Sequence, residues 1–106
     1  MNSDYAEAYN NLGLAYQAIG DIESAIKDYD KAIVLKPGLA EAYYNRGNSY
    51  FVKGNFESAI KYYDKAIELK PGYAEAYSNR GTAFKAKGML KEAEQDFKTS
   101  EKLKHK

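Results

Sequence analysis

The most constraining feature of the chain is a repeat with a period of 34 residues. Residues 6–39 and 40–73 align without a gap and are identical at 22 of 34 positions, and residues 74–106 form a third, more divergent copy. A fixed period between about 20 and 50 residues is typical of stacked repeats, because a single unit cannot bury its own apolar face. The sequence therefore predicts one domain, residues 1–106, built from three similar units.

The overall charge limits the partners that the chain is expected to bind. The net charge is +1, with 16 basic and 15 acidic residues mixed along the chain. Nucleic acids and anionic membranes are recognised by a strong basic field, so neither is expected as a partner. No apolar run approaches the roughly 18 residues of a membrane span, and no targeting segment is recognisable, which favours a cytoplasmic location.

Each copy contains two blocks of apolar residues at the spacing of an amphipathic helix. In the second copy, Gly54-Asn55 separates the blocks and Pro71-Gly72 follows them. Glycine can end a helix in the left-handed conformation, asparagine can cap the next helix, and proline cannot continue one. The pattern predicts a helical hairpin in each copy, and hence an all-α fold of six stacked helices.

The repeated residues resemble the tetratricopeptide repeat, whose pattern is Trp, Leu-Gly, Tyr, Ala, Phe, Ala and Pro at fixed offsets. The third copy departs from this pattern at Ser100 and His105, but the resemblance covers the chain from Ala6 onward. It implies a right-handed superhelical stack of three helix-turn-helix hairpins that binds protein or peptide. In the second copy the matching positions are Tyr43, Arg46, Gly47, Tyr50, Ala59, Tyr63, Ala66 and Pro71.

The third copy places glutamate at two positions where the other copies have isoleucine. A helix in the middle of an array would bury these positions against the next unit, where an unpaired carboxylate is costly. Glu94 and Glu101 therefore predict that the last helix acts as a C-terminal cap with a polar outer face. The isoleucines that they replace are Ile26, Ile60, Ile33 and Ile67.

One set of charged residues follows the stacking order. At one position, arginine occurs only in the second and third copies, each of which has a copy before it. At another position, aspartate occurs only in the first and second copies, each of which has a copy after it. We expect these residues to pair across the junctions and to set the register of the stack, since exposed ion pairs contribute only ~0–1 kcal/mol. The alternative is a chance match in charge-rich helices. The predicted pairs are Asp30 with Arg46 and Asp64 with Arg80, and the same positions at the two ends hold Leu12 and Lys98.

The first helix of each copy has a polar side, which in the tetratricopeptide repeat family lines a concave groove. A side-chain amide offers a donor and an acceptor, so a row of asparagines could satisfy the backbone of an extended peptide. The alternative is that asparagine is common at this offset without any ligand, and that the aromatic residues of the groove pack between repeats. The predicted groove residues are Asn11, Asn45, Asn79, Glu7, Glu41, Glu75, Tyr44, Asn48, Phe51 and Lys85.

Catalytic function is not expected from these residues. The chain has no cysteine, and its single histidine, His105, lies in a charged tail without a nucleophile–base pair. No enzyme activity, cofactor or metal is therefore predicted. We expect a non-catalytic scaffold that holds an extended segment, basic or neutral because the glutamate row would repel an acidic tail. The alternatives are end-to-end self-association, or a designed or excised scaffold without a ligand, which the high identity of the first two copies favours.

Overall fold

A computed structural model of the chain describes residues 3–105. Within this range the chain forms α-helices and no strands, so the all-α stack of three hairpins is confirmed. None of the described helices is long and apolar enough to cross a membrane. The helices are α1 (Ser3–Ala18), α2 (Ile22–Leu35), α3 (Ala40–Val52), α4 (Phe56–Leu69), α5 (Ala74–Ala86) and α6 (Leu90–Lys104). We call the successive pairs of helices hairpins 1, 2 and 3.

The tight turn inside each hairpin follows from glycine and from the residue after it. Gly20, Gly54 and Gly88 have φ angles of 86°, 80° and 79°, a region that side-chain-bearing residues rarely adopt. In hairpins 1 and 2, Asp21 and Asn55 then cap the second helix, each accepting a hydrogen bond from a serine N–H three residues later, at 3.2 and 3.1 Å. The third turn has Met89 and no side-chain cap. Hairpin 3 therefore begins its second helix with weaker local support.

The two helices of a hairpin approach each other most closely at a glycine of the first helix. In hairpin 2, a Cβ atom added to Gly47 would lie 2.7 Å from Tyr63 Cε1 and 3.3 Å from the Ala59 carbonyl oxygen. Ala59 is fully buried and Tyr63 is 1% exposed, so neither has room to move. The close approach that the small residues predict is therefore present, and glycine is required there because no side chain fits.

Small residues also fill the junctions between hairpins. One cluster, where α1, α2 and α3 meet, is built around Ala6, Ala32 and Ala42, and another, between α4 and α5, around Ala66 and Ala76. Alanine lets neighbouring helices approach while losing little side-chain entropy. The result is a continuous stack with principal dimensions of 40 × 29 × 19 Å.

The last helix differs from its counterparts on its outer side. Glu94 and Glu101 are exposed, as a C-terminal cap would require. Phe97 is 38% exposed, whereas the equivalent Tyr29 and Tyr63 are 0% and 1% exposed. That the last helix acts as a cap remains a prediction, which these exposures favour.

Tyr29 and Tyr63, the two fully buried tyrosines, each direct the hydroxyl toward an amide of the first helix of the hairpin. Tyr29 donates to Gln17 Oε1 at 2.9 Å, and Tyr63 donates to Asn48 Oδ1. Burial raises the pKa of Tyr29 to about 12, with a smaller contribution from the charge of Asp28. Burial also raises the pKa of Tyr63, followed in size by the effect of Tyr44.

The buried tyrosines predict a loss of stability in alkali. The folded state favours the neutral phenol, so the contribution of Tyr29 to the free energy of unfolding should be fully present well below pH 10. It should be lost as the pH rises from about 10 toward 12, where Tyr29 ionises in the fold. Each such tyrosine contributes a slope of up to about 1.4 kcal/mol per pH unit. Urea unfolding at a series of pH values measures this slope. Tyr29→Phe should reduce it and the exposed-site control Tyr5→Phe should not; equal slopes in all three proteins would contradict the assignment.

Candidate binding groove

The first helices of the three hairpins, α1, α3 and α5, lie side by side and form one face of the stack. Glu7, Glu41 and Glu75 occupy the same position on these helices, and all three are exposed. None forms an ion pair with another residue that the structure describes. The face therefore carries a row of three carboxylates that are accessible to a ligand.

The asparagine row is only partly accessible. Asn11 is exposed, whereas Asn45 is 7% exposed and donates through Nδ2 to Asn10 Oδ1 at 3.0 Å. This bond joins α3 to α1 across the first junction. One N–H group of the Asn45 amide is thus used in a hydrogen bond between helices. The asparagine row therefore contributes to the packing of the stack and is only partly available to a ligand.

The third asparagine belongs to a network at the second junction. Asn79 Nδ2 donates to Asn48 Oδ1 at 2.9 Å and to the Tyr44 hydroxyl at 3.0 Å. Asn48 Oδ1 also accepts from Tyr63, so both of its lone pairs are used. Among the described residues, nothing bonds to Asn48 Nδ2 or to Asn79 Oδ1. The network fixes the orientation of two amides and leaves one donor and one acceptor free.

Asn48 and Asn79 line a cleft between hairpins 2 and 3. The cleft has a volume of about 230 Å³ and is open to solvent along the groove face. Its walls are mostly apolar, with polar groups contributed by the two amides and a threonine. The lining residues are Asn48, Phe51, Val52, Tyr63, Asn79 and Thr82. Of the predicted groove residues, the structure brings Asn48, Phe51 and Asn79 together here.

The aromatic residues of the groove are held by packing on one side. Tyr44 lies between two rings, with centroid distances of 4.9 Å to Tyr73 and 5.9 Å to Tyr63. Phe51 packs edge-on against Phe56 at 5.1 Å while its other side faces the cleft. Tyr73 itself is buried in the junction. Tyr44 and Tyr73 therefore belong chiefly to inter-repeat packing, and Phe51 is the aromatic residue that a ligand can reach.

Lys85 is exposed in the last turn of α5 and does not line the cleft. It lies three residues beyond Thr82 along the same helix, so it can contact only a ligand that extends past the cleft.

The predicted ion pairs across both junctions are present in the structure. Arg46 forms an ion pair with Asp30 of the preceding hairpin, and Arg80 Nη1 lies 2.9 Å from Asp64 Oδ1. In both pairs the aspartate is about half exposed, at 51% and 55%, so the pairing energy is small. That these pairs set the register of the stack remains a proposal.

Arg80 has a second and more buried partner that the sequence comparison missed. Its Nη2 and Nε atoms lie 2.7 and 2.8 Å from the two oxygens of Asp96, whose side chain is only 4% exposed. The hydrogen bonds to Asp96, and then to Asp64, raise the pKa of Arg80 despite its partial burial. A bidentate pair of this kind holds α5 against α6 within hairpin 3.

A second set of junction ion pairs also escaped the sequence comparison. Lys53 Nζ lies 2.8 Å from Glu23 Oε2, and Lys87 Nζ lies 3.4 Å from Glu57 Oε2. These residues follow the order of the copies in the same way as the arginines and aspartates do, because the lysine occurs only in the second and third copies and the glutamate only in the first and second. The first copy has Ile19 where the others have lysine, and the third has Lys91 where the others have glutamate.

Hairpin 1 contains the same buried acid without its partner. Asp28 is equivalent to Asp96 and is 6% exposed, and its Oδ2 atom is buried without a hydrogen bond. The position that holds arginine in hairpin 3 is Leu12 in hairpin 1. An unpaired buried carboxylate is costly, so hairpin 1 lacks a stabilising interaction that hairpin 3 has.

Residues 3–105 contain no cluster of three or more histidine, aspartate or glutamate side chains that would hold a metal ion. His105 is exposed and lies 2.7 Å from Glu101 at the far end of α6, away from the cleft. The free donor, the free acceptor and the carboxylate row are polar groups that this face presents to solvent.

Fold and groove together define a helical repeat protein, and comparison with known families identifies which one. The tetratricopeptide repeat family matches residues 6–39 and 40–73 with one sequence model and residues 62–95 with a second. The chain belongs to the tetratricopeptide repeat family. The comparison with curated protein sequences gives no match.

Solved structures of the same architecture include peptide complexes. A crystal structure of MamA is 36% identical with a TM-score of 0.91 over 98% of this chain, which spans 61% of the MamA chain. The second repeat domain of Spaghetti (RPAP3), bound to the HSP90 peptide SRMEEVD, is 33% identical with a TM-score of 0.93, covering 96% of this chain and 94% of its own. The N-terminal domain of STI-1 from C. elegans is 32% identical, with a TM-score of 0.87, over 95% and 85%.

Proposed function

We propose that the chain is a non-catalytic module that binds an extended basic or neutral peptide along the face formed by α1, α3 and α5. The observation that carries this proposal is the oriented amide pair in the cleft. Asn48 Nδ2 and Asn79 Oδ1 are free while their partner atoms are fixed by hydrogen bonds. One donor and one acceptor are what a single peptide unit of an extended chain requires.

An apolar side chain of the peptide would enter the cleft beside this amide pair. The cleft of about 230 Å³ accommodates one side chain, and Phe51 and Val52 supply its apolar wall. Binding energy in peptide complexes concentrates at such pockets, while the surrounding contacts exclude water. The cleft therefore anchors the peptide, and the amides fix the direction of its backbone.

The carboxylate row favours a basic sequence on either side of the anchor. The HSP90 peptide bound to Spaghetti, SRMEEVD, has three acidic side chains and one basic one. Here the groove face presents Glu7, Glu41 and Glu75, all exposed, so an acidic peptide would meet like charges. Like-charge contacts select against the wrong partner and slow its association. The family relationship thus supports peptide binding, and the charges of this chain support a different class of peptide.

Two synthetic peptides test this function. Both have a central leucine; lysines flank it in one and glutamates flank it in the other. Fluorescence anisotropy should show that the lysine peptide binds at least about tenfold more tightly, a difference of about 1.4 kcal/mol. The double variant Glu41→Lys/Glu75→Lys should reverse this preference. The matched control Glu92→Lys/Glu94→Lys makes the same change of net charge on exposed positions of α6 and should preserve it.

The cleft itself is tested by filling it. Thr82 is exposed at the rim of the cleft, so Thr82→Trp blocks the anchor site without entering the core. We expect this variant to lose measurable binding of the lysine peptide, while Lys85→Ala, on the same helix but outside the cleft, changes it less than about threefold, under 1 kcal/mol. Equal binding of both peptides by the unaltered protein, or full binding by Thr82→Trp, would refute the proposal.

A further inference from the structure

The outer side of hairpin 1 carries an exposed apolar stripe. Its five residues are spaced alternately three and four positions apart, which places them on one side of α1. The last of them is the first residue after the helix. Tyr5, Leu12 and Ile19 are 60%, 45% and 77% exposed, and the two alanines between them are exposed as well. We call this stripe the α1 seam; it consists of Tyr5, Ala8, Leu12, Ala15 and Ile19.

The equivalent stripe is covered in the other two hairpins. In hairpin 2 the preceding α2 packs on it, so that Leu39 is 7% exposed and Ala42 and Ser49 are fully buried. In hairpin 3 the preceding α4 covers Tyr73, Ala76 and Ala83 in the same way. The α1 seam is thus the same surface that a neighbouring helix covers in hairpins 2 and 3, and no described helix covers it here.

The seam is also more apolar than its counterparts. Leu12 replaces the arginines of the other hairpins, and Ile19 replaces their lysines. Those cations pair with aspartate and glutamate of the helix that covers them. Without the cations, the α1 seam fits a helix that presents apolar side chains along its whole length.

The outer side of α6 from another copy does not meet this requirement. It presents Glu94 and Glu101 where the internal junctions have isoleucine, and Lys91 and Lys98 where they have acids. Head-to-tail stacking would bring these charges against alanine, leucine and isoleucine of the seam, leaving them desolvated and unpaired. The charges of the two ends therefore argue against end-to-end filaments.

The seam is complementary to itself. Its side chains alternate large, small, large, small, large, and the alternation is symmetric about Leu12. We propose that the seam is the interface of a two-fold symmetric dimer in which α1 packs antiparallel against α1 of a second copy. Leu12 then meets its own counterpart on the axis, Ala8 faces Ala15 so that the helices approach closely, and Tyr5 covers Ile19.

Such an interface closes after two copies, because each seam is used once. It is also small, since a single helix of 16 residues contributes on each side. Interfaces below about 1,200 Å² belong to weak or transient complexes, so the dimer forms reversibly at high protein concentration. It leaves the cleft between hairpins 2 and 3 accessible, and its existence does not depend on the peptide-binding function.

Sedimentation velocity over protein concentrations from micromolar to millimolar tests the dimer. The average mass should rise toward twice that of the monomer and then stop. Leu12→Arg introduces the residue that hairpins 2 and 3 have at this position, so the fold accommodates it beside Asp28. It also replaces the apolar side chain on the axis with a long polar one. This variant should stay monomeric. The control Lys98→Asp restores the internal residue at the opposite end and should dimerise normally; a monomer at every concentration in the unaltered protein would overturn the proposal.

Cross-linking distinguishes the orientation of the two copies, because the chain has no cysteine of its own. Under mild oxidation Leu12→Cys should form disulfide dimers rapidly, since the two thiols meet on the axis. Lys98→Cys alone should not, and a mixture of the two variants should give only the Leu12→Cys homodimer. Cross-links between the two different variants would instead establish head-to-tail contact and reject the two-fold arrangement.

Discussion

Replacing Gly47 with leucine is expected to unfold the stack or to lower its melting temperature by more than about 20 °C. An added Cβ would lie 2.7 and 2.8 Å from two ring carbons of Tyr63 and 3.3 Å from a backbone oxygen of Ala59. Overpacking a core by a few methylenes costs about 1–3 kcal/mol, and a full leucine at this distance costs more. For a domain of this size each kcal/mol shifts the melting temperature by about 4–8 °C. Thermal unfolding followed by circular dichroism measures the shift.

Gly72 provides the matched control. It lies in the turn after α4, nothing would lie within 4 Å of its added Cβ, and its φ is not in the left-handed region. Gly72→Leu therefore makes the same chemical change without the steric conflict and should melt within a few degrees of the unaltered protein, as most surface substitutions do. A Gly47→Leu protein that melts at the same temperature as Gly72→Leu would disprove the close-packing explanation.

Replacing Arg80 with leucine is expected to cost about 3 kcal/mol of unfolding free energy, since breaking a buried ion pair costs 3–5 kcal/mol. The guanidinium is held by two hydrogen bonds of 2.7 and 2.8 Å to Asp96, whose side chain is 4% exposed. Without Arg80 that carboxylate stays buried and unpaired. We expect the lower end of this range of about 3–5 kcal/mol, because hairpin 1 folds with Leu12 at the position of Arg80 and with Asp28 at the position of Asp96. Urea unfolding at neutral pH measures the change.

Two further variants separate the buried partner from the exposed one. Asp64→Ala removes the half-exposed aspartate from the same arginine and should cost less than about 1 kcal/mol. The double variant Arg80→Leu/Asp96→Leu removes the orphaned charge and should recover most of the stability that Arg80→Leu loses. If Asp64→Ala and Arg80→Leu proved equally destabilising, the bond to Asp96 would not be the stabilising contact.

The fold was predictable because its determinants are repeated in the sequence. The 34-residue period, the glycine turns and the small residues at Gly47 and Ala59 each recur in register, so one unit explains the others. The ion pairs of Arg46 and Arg80 could also be inferred, since their presence follows the order of the copies. The same comparison would have found Lys53 and Lys87, whose pattern has the same form.

The details of the groove could not be predicted in the same way. A row of asparagines indicates a common position but not which atom of each amide is used. Asn45 and Asn79 both donate through Nδ2 to the residue 35 positions earlier, Asn10 and Tyr44 respectively. Only Asn79 also bonds to Asn48, because the equivalent position in the first copy is Leu14. The bond from Arg80 to Asp96 was missed for a related reason. Asp96 has no acidic counterpart in the second copy, where Tyr62 stands, so the comparison of copies gave no signal.

The uneven support of the last hairpin has a consequence for the motions of the chain. Hairpin 3 lacks a side-chain cap at Met89, and its Phe97 ring is partly exposed and has no hydroxyl to bond. Repeat arrays can open one unit at a time, and missing local contacts lower the free energy needed to open a unit. Asn79 and Thr82, which form one wall of the cleft, leave with that hairpin. Opening of hairpin 3 and release of a peptide from the cleft would therefore be coupled, so the lifetime of such a complex would depend on how tightly hairpin 3 stays packed on hairpin 2.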